Sequence, residues 1–330
     1  MLYYQHTNSG PAVMRRMLRT AVFLALAAAP ALALARPPLI YHRVANLVAH
    51  PGGSVRLVLS SHDVVVRVKP GTSVTVTTKI WADAGSDSAK KAIVHRLAPH
   101  VSAKGKDVLV KSPEHRGWSL HFGWGSSPQA LVTVQMPPSM AVHYRLGSGD
   151  FHFDNPDAPN AIDGISGSGD VRIDSTSSRV SVKSGSGDLV VNLNGAAGPV
   201  HLGTGSGDID FTGSARSLKL GAGSGDIQVH QASTRSASIT TGSGDIVAHW
   251  RNVDAGGALH ASAGSGDLVM YLPADTVVGG RISTGSGDVN SDFPVTVHGS
   301  HHSYTLAGGS GAVTVDMNTG SGDVTLHKGS

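Results

Sequence analysis

Residues 185–229 read GSGDLVVNLNGAAGPVHLGTGSGDIDFTGSARSLKLGAGSGDIQV, and this stretch decides the fold because it holds three copies of Gly-Ser-Gly-Asp. The tetrapeptide occurs nine times in the chain, and a tenth copy ends in Ala312 instead of Asp. Most successive copies lie 18 to 24 residues apart. A period near 20 residues is typical of a solenoid rather than of a single globular core. The copies begin at Gly147, Gly167, Gly185, Gly205, Gly223, Gly242, Gly264, Gly285, Gly309 and Gly320.

Apolar and polar residues alternate on both sides of each copy. Apolar residues fall one and three places after the Asp, as at Leu189 and Val191, and five and three places before the first Gly, as at Val200 and Leu202. Period-two alternation indicates strands with one inward face. We therefore predict an all-β solenoid with two strands in each coil of about 20 residues, the coils stacking about 4.8 Å apart. The alternative is a meandering antiparallel sheet, although its hairpins would favour Asn-Gly or Asp-Gly turns.

The motif glycines are predicted to form the sharp turn between the two strands of a coil. Glycine suits this position because it permits positive φ or the close approach of another backbone segment. The Asp side chain is expected to accept backbone hydrogen bonds within its own turn. The predicted turn glycines are Gly147, Gly167, Gly185, Gly187, Gly205, Gly223, Gly225, Gly242, Gly264, Gly285 and Gly320.

The motif aspartates are candidates for calcium binding, because equivalent positions of stacked coils form a column. The calcium-binding β-roll repeat, however, has a period of about nine residues and a different spacing to its Asp. Bonding within the turn is therefore the favoured role, and weakly bound calcium is the only cofactor considered. The calcium candidates are Asp170, Asp188, Asp208, Asp226 and Asp245.

No catalytic residue is predicted from the sequence. The Ser of Gly-Ser-Gly-Asp is flanked directly by Gly, unlike the Gly-x-Ser-x-Gly of α/β-hydrolases, and no helix follows it. Glycine loops that bind phosphate also precede helices, whereas strands follow these motifs. The chain has no Cys, which excludes a disulfide scaffold, a thiol nucleophile and Cys-based metal sites. Its 22 Asp against the single Glu114 also favour turns over helices.

Residues 1–35 are predicted to be an N-terminal extension and a cleaved signal peptide. Residues 14–19 are basic, residues 21–34 are largely apolar, and Ala33-Leu34-Ala35 fits a cleavage site. Loss of the three leader arginines leaves 23 basic and 23 acidic residues, a balance that argues against nucleic-acid binding. No later segment has the length of a membrane span, so we expect export to the periplasm or the cell surface.

Residues 36–146 are predicted to form a β-rich cap that continues into a solenoid of residues 147–330. The cap contains alternating β segments and one helix, which Ser86 or Asp87 is predicted to N-cap and which Pro99 ends. A cap is needed because the first coil would otherwise expose an unpaired sheet edge.

The chain resembles the Toastrack family of adhesin-like bacterial proteins. The resemblance rests on VTVQMPPSMAVHYRLGSGDF, residues 132–151, and on the repeated coils that follow, and it extends over about residues 40–328. It implies a right-handed β-solenoid in the cell envelope or outside the cell. The family supplies no agreed catalytic residues, so none is transferred to this chain.

Three functional classes follow from this reading. The first is a non-enzymatic envelope protein that acts as an adhesin or structural element through flat solenoid faces. The second is a module that binds a glycan or another envelope component, and the third, least favoured, is a β-helix enzyme that acts on polysaccharides. The strand at residues 324–326 is expected to lack a later coil, so its edge is predicted to support weak self-association.

Overall fold

The computed structural model of the protein describes residues 37–113, 127–155, 160–177, 179–195, 198–297 and 302–329. The predicted all-β solenoid is confirmed in these ranges, which contain strands and one short helix. No helix in them is long and apolar enough to cross a membrane. The predicted signal peptide, residues 1–35, lies outside the described residues.

Among the described residues up to Met136, the N-terminal region contains seven strands and the predicted helix. Ser86 caps the helix, because its side-chain oxygen accepts a hydrogen bond of 3.2 Å from the Ala89 N–H. The elements are β1 (Leu39–Val48), β2 (Ser54–Leu59), β3 (Asp63–Val68), β4 (Ser73–Trp81), α1 (Asp87–Leu97), β5 (His100–Lys104), β6 (Asp107–Lys111) and β7 (Gln129–Met136).

The remaining strands form the repeat region, and three of them continue without a break around the corner opposite the Gly-Ser-Gly-Asp turn. They are β8 (Ala141–Leu146), β9 (Phe151–Asn155), β10 (Ala161–Ser166), β11 (Val171–Ser175), β12 (Arg179–Ser184), β13 (Leu189–Leu193), β14 (Pro199–Thr204), β15 (Ile209–Ala222), β16 (Ile227–Ser243), β17 (Ile246–Ser265), β18 (Leu268–Leu272), β19 (Val278–Ser286), β20 (Val289–Ser291), β21 (Val295–Val297), β22 (Ser303–Ala307), β23 (Val313–Ser321) and β24 (Val324–Lys328).

Strands from successive coils pair in parallel and in register, which excludes the antiparallel meander. Before the turn, β8, β10, β12 and β14 stack in that order, with Ile162 opposite both Val142 and Val180. After the turn, β9, β11 and β13 stack in the same way. The inward residues of both stacks form one core of Val, Ile and Leu with a few large rings, among them Phe151 and Trp250.

The stack already begins within the N-terminal region. β2 pairs in parallel with β8, and β3 with β9, so residues 60–63 occupy the position of a Gly-Ser-Gly-Asp turn. On the other side of this first coil, β2 pairs in parallel with β6, and β3 pairs in parallel with β7. Antiparallel strands then continue outward from both, β5 from β6 and β4 followed by β1 from β7. These strands cover the edges that a bare first coil would expose.

The order of the last coils differs from their order in the sequence. β23 lies between β17 and β19, and β24 lies between β18 and β20, in each case with parallel pairing. The coil of residues 313–328 is therefore inserted between the two coils that precede it in the chain. The predicted free edge at residues 324–326 is wrong, because β24 is paired on both sides, and the self-association assigned to it loses its basis.

The tenth motif copy does not belong to the stack. Gly309 to Ala312 form a local turn in which the Ala312 N–H donates to the Gly309 carbonyl at 3.1 Å. This turn follows β22, which runs antiparallel to β19 and to β21 at the C-terminal end of the solenoid. The spacing of 11 residues between Gly309 and Gly320, shorter than one coil, therefore reflects a segment of the chain that leaves the stack.

Candidate functional site

The motif glycines are required by the close stacking of the coils. A side chain at Gly225 would overlap with the carbonyl oxygen of Gly207 in the coil beneath, and one at Gly187 would overlap with that of Gly169. Positive φ, the other expected reason, does not occur at Gly187 or Gly225; among third-position glycines it is confined to late copies such as Gly266, at 138°. Contact between backbones therefore sets the residue type at the turn.

The motif aspartates form a hydrogen-bonded ladder along the turn edge. The backbone N–H of each Asp donates to Oδ1 of the Asp in the adjacent coil, with distances of 2.8 to 3.2 Å. The expected bond within the same turn is thus wrong, since the acceptor lies one coil away. The ladder also places Asp323 before Asp288. In stacking order its members are Asp63, Asp150, Asp170, Asp188, Asp208, Asp226, Asp245, Asp267, Asp323 and Asp288.

This ladder bears on the calcium candidates, Asp170, Asp188, Asp208, Asp226 and Asp245. In each of them Oδ1 already accepts a backbone N–H, which leaves Oδ2 as the oxygen open to a cation. The described ranges contain no group of three or more His, Cys, Asp or Glu residues arranged to hold a metal ion. Calcium binding at the column stays a prediction.

Buried hydroxyl groups support the turns from inside the solenoid. The side-chain hydroxyl of Thr204 donates to the Gly187 carbonyl at 3.0 Å and accepts from the Gly207 N–H at 3.1 Å. Thr241 donates in the same way to Gly225, at 3.0 Å. Each hydroxyl satisfies a buried backbone group that the glycine turn leaves unpaired.

The turn of the first coil contains a buried histidine that sequence reasoning missed. His62 takes the place of the second motif glycine, and its Nε2 lies 2.6 Å from the carbonyl oxygen of Leu97 at the end of α1. Its Nδ1 is buried and has no hydrogen-bond partner among the described residues. Burial lowers the pKa of His62, although the Leu97 carbonyl and Asp63 oppose this effect. The sequence signal that could have located this turn is Asp63 followed by the apolar Val64, because an apolar residue also follows the Asp of the later copies.

A column of rings lies on the outward face after the turn. The rings of His249 and Tyr271 stack with centroids 4.1 Å apart, and those of Tyr271 and His327 with centroids 4.9 Å apart. Partial burial lowers the pKa of His249, and the charge of His230 lowers it further. A hydrogen bond from His327 Nδ1, 3.0 Å long, lowers the pKa of Asp292. Because the rings cover each other's faces, the column offers a ligand mainly ring edges.

A polar groove lies at the corner opposite the turn and is the candidate binding site. Its volume is about 570 Å³. Arg216 of β15 and Arg235 of β16 lie beside each other in adjacent coils. The residues on either side of them are paired, because Ala215 is opposite Thr234 and Ser217 is opposite Ser236. Both arginines are exposed, and neither forms an ion pair within the part of the chain that the structure describes. The groove is also lined by Ser214, Ala215, Ser233, Thr234, Asn252 and Asp254.

The groove can bind an anion with two forked donors and several neutral hydrogen-bonding groups. Guanidinium groups match carboxylate, sulfate and phosphate oxygens in paired geometry, whereas hydroxyl and amide groups suit sugar hydroxyls. Asp254 lies at one end, where its Oδ1 accepts a 3.5 Å contact from the Asn252 amide. Sequence reasoning missed this site because Arg216 and Arg235 fall in the variable corner, outside the repeated motif.

The family model for Toastrack DUF4097 matches residues 55–327. No curated protein matches the chain. Among solved structures, a "putative adhesin" from Bacteroides fragilis is 9% identical, with a TM-score of 0.44, over 87% of this chain and 97% of that one. A "putative lipid binding protein" from Parabacteroides distasonis is 13% identical, with a TM-score of 0.46 and the same coverage. A "putative cell adhesion protein" from Clostridium sporogenes is 10% identical, with a TM-score of 0.25, over 88% of this chain and all of that one.

Proposed function

The chain belongs to the Toastrack DUF4097 family, and we propose that it is an exported, adhesin-type envelope protein that binds an anionic glycan in the groove of Arg216 and Arg235. The observation that carries this proposal is that two guanidinium groups lie in adjacent coils and, within the described ranges, neither of them forms an ion pair. Two like charges held on neighbouring strands repel each other, and an anionic ligand would relieve that repulsion. Ser214, Ser233 and Asn252 would then contact the sugar hydroxyls.

Binding rather than catalysis is the activity that the surface supports. A catalytic site needs a nucleophile or an acid–base pair held in a local arrangement. The most frequently repeated acidic groups, the motif aspartates, are instead engaged with one another's backbone. Export is supported by the predicted signal peptide in residues 1–35.

The proposal is tested by biolayer interferometry of the purified protein on immobilised polysaccharides. Polygalacturonate and dextran sulfate supply carboxylate and sulfate groups, and unmodified dextran supplies the neutral comparison. Binding to at least one acidic polymer is expected, with an affinity that decreases as salt increases. The double variant Arg216→Gln and Arg235→Gln should lose at least about tenfold in affinity, because charge-assisted bonds contribute about 1.5–3 kcal/mol each.

The matched control is the double variant Arg145→Gln and Lys183→Gln, which removes the same net charge from exposed positions of β8 and β12. It should bind the acidic polymer like the parent. Equal losses in the two double variants, or equal binding of dextran and the acidic polymers, would contradict a specific groove.

Calcium is tested by repeating the binding measurement, and by measuring thermal unfolding, in calcium and in chelator. The Asp column is proposed to be structural, so binding and the thermal midpoint should agree in calcium and in chelator. A midpoint that rises with calcium and does so less in Asp208→Asn would instead assign a cation to the column.

A further inference from the structure

The first strand of the structure presents a long unpaired edge. β1 is ten residues long and, within the described ranges, pairs only with β4. Its exposed side chains include Leu39, Val44 and Val48, which are 49%, 50% and 66% exposed. Proteins usually protect such an edge with Lys, Pro or a covering segment. The only charged side chain of this strand is that of Arg43.

The hydrogen-bonding pattern shows which backbone groups face this edge. The Ala49 N–H donates to the Thr72 carbonyl at 2.9 Å, and the pairing continues in register to Leu47 opposite Val74. In an antiparallel pair, alternate residues exchange both hydrogen bonds with the partner strand. From Tyr41 to Ala49, odd-numbered residues therefore bond to β4, whereas His42, Val44, Asn46 and Val48 direct N–H and C=O toward the open edge; the register shifts between Leu39 and Tyr41.

We propose that a second copy of this chain pairs with β1 antiparallel across a two-fold axis at Val44. This register places the edge-facing groups of His42, Val44 and Asn46 of the two copies opposite each other, as a continuous ladder requires. Val44 then lies opposite Val44 of the second copy. The remaining opposed pairs are Ile40 with Val48, Tyr41 with Leu47, His42 with Asn46, and Arg43 with Ala45.

The amino-acid sequence of β1 favours this register over its neighbours. Around Val44 the strand is nearly palindromic, because the apolar Ile40 and Tyr41 match Val48 and Leu47, and the polar His42 matches Asn46. Centring the pair at Arg43 would place two guanidinium groups directly opposite each other, which destabilises a sheet. Centring it at Ala45 would place His42 opposite Val48 and lose the apolar match. The partner is therefore a second copy rather than an unrelated strand, and this inference does not depend on the proposed glycan binding.

Single cysteines test the register, because the chain has none of its own. In Val44→Cys the two Cα atoms would lie about 5.5 Å apart in the dimer, within the range that a disulfide spans. In the control Val48→Cys, a more exposed position of the same strand, the two Cα atoms would lie about 27 Å apart. Mild oxidation should therefore convert Val44→Cys, and not Val48→Cys, to a covalent dimer on a non-reducing gel.

Analytical ultracentrifugation of the purified protein supplies the second measurement. The parent should approach twice the monomer mass as its concentration increases, and Val44→Lys should remain monomeric because two ammonium groups would oppose each other. Val58→Lys is the matched control, since Val58 is exposed on β2, whose two edges are both paired. A monomeric parent at all concentrations, or equal cross-linking of the two cysteine variants, would overturn the proposal.

Discussion

At the residue scale, the second glycine of each motif is required by the coil beneath it. Gly225→Ala would force a methyl group into the Gly207 carbonyl, so the coils must separate or the turn must distort. We expect the free energy of unfolding to fall by more than about 2 kcal/mol, in the range of strongly destabilising backbone changes. Urea denaturation followed by circular dichroism measures this loss.

Gly221→Ala is the control for this change in the same coil. Its methyl group would meet only the Thr240 side chain and carbonyl, at 3.5 Å and 4.0 Å. We expect a change within about 0.5 kcal/mol of zero, as for an ordinary surface substitution. A similar loss in the two variants would refute close stacking as the reason for the motif.

The sequence predicted the identity of the turn residues better than their contacts. Repetition of Gly and Asp was sufficient to locate Gly187 and Asp188 at a turn. It could not show that the Asp188 carboxylate accepts the Asp208 N–H, because partners one coil apart depend on the stacking distance. The same limit applies to Arg216 and Arg235, which become neighbours only through the register of β15 and β16.

At the scale of elements, the contact between the first turn and α1 should make stability depend on pH. Burial lowers the pKa of His62 below its ordinary 6.5, so the folded state holds the neutral imidazole. In the unfolded chain, His62 binds a proton as the pH falls through 6.5. In the folded chain it binds that proton only at a lower pH, because burial lowers its pKa. His62 therefore lowers the free energy of unfolding as the pH falls, by at most about 1.4 kcal/mol per pH unit.

His62→Gln removes this titration while its amide can still donate to the Leu97 carbonyl. Urea denaturation between about pH 7.5 and pH 5 should give a smaller loss of stability in this variant than in the parent. The exposed His201, changed likewise to Gln, is the control and should follow the curve of the parent. Parallel curves for the parent and His62→Gln would show that the buried imidazole does not couple folding to pH.

Elements with local signals were predicted well, and those set by distant pairing were not. The cap at Ser86 and the stop at Pro99 located α1 because both act within one turn of helix. The first coil was not recognised as a coil, since residues 60–63 contain no glycine. Its position under β8 and β9 depends on pairing across more than 80 residues of chain.

At the scale of the whole molecule, the insertion of residues 313–328 can be tested with cysteine pairs. Val269 lies opposite Thr325, and Thr325 lies opposite Asn290, so Thr325 separates the other two. Adjacent strands about 4.8 Å apart are within reach of a disulfide. Val269→Cys with Thr325→Cys should cross-link on oxidation, and mass spectrometry of a digest identifies the linked peptides.

The companion variant combines Val269→Cys with Asn290→Cys. These positions lie two strands apart, about 9.6 Å, which exceeds the span of a disulfide. Cross-linking in this variant, without cross-linking of the first pair, would mean that the coils stack in the order of the sequence. The sequence could not predict the insertion because each copy of the motif fits equally well on any other.

Since β23 and β24 lie between earlier strands, the order of synthesis differs from the order of assembly. Residues 278–291 leave the ribosome before residues 313–328, yet their final neighbours are β23 and β24. In the interval, the earlier segment, which carries the same Gly-Ser-Gly-Asp turn, would find the edges of β17 and β18 open to parallel pairing, since their final partners β23 and β24 have not yet been made. A nascent chain that accepted this pairing would have to reopen it when the later segment arrived, so vectorial folding stays incomplete until residue 328 has emerged.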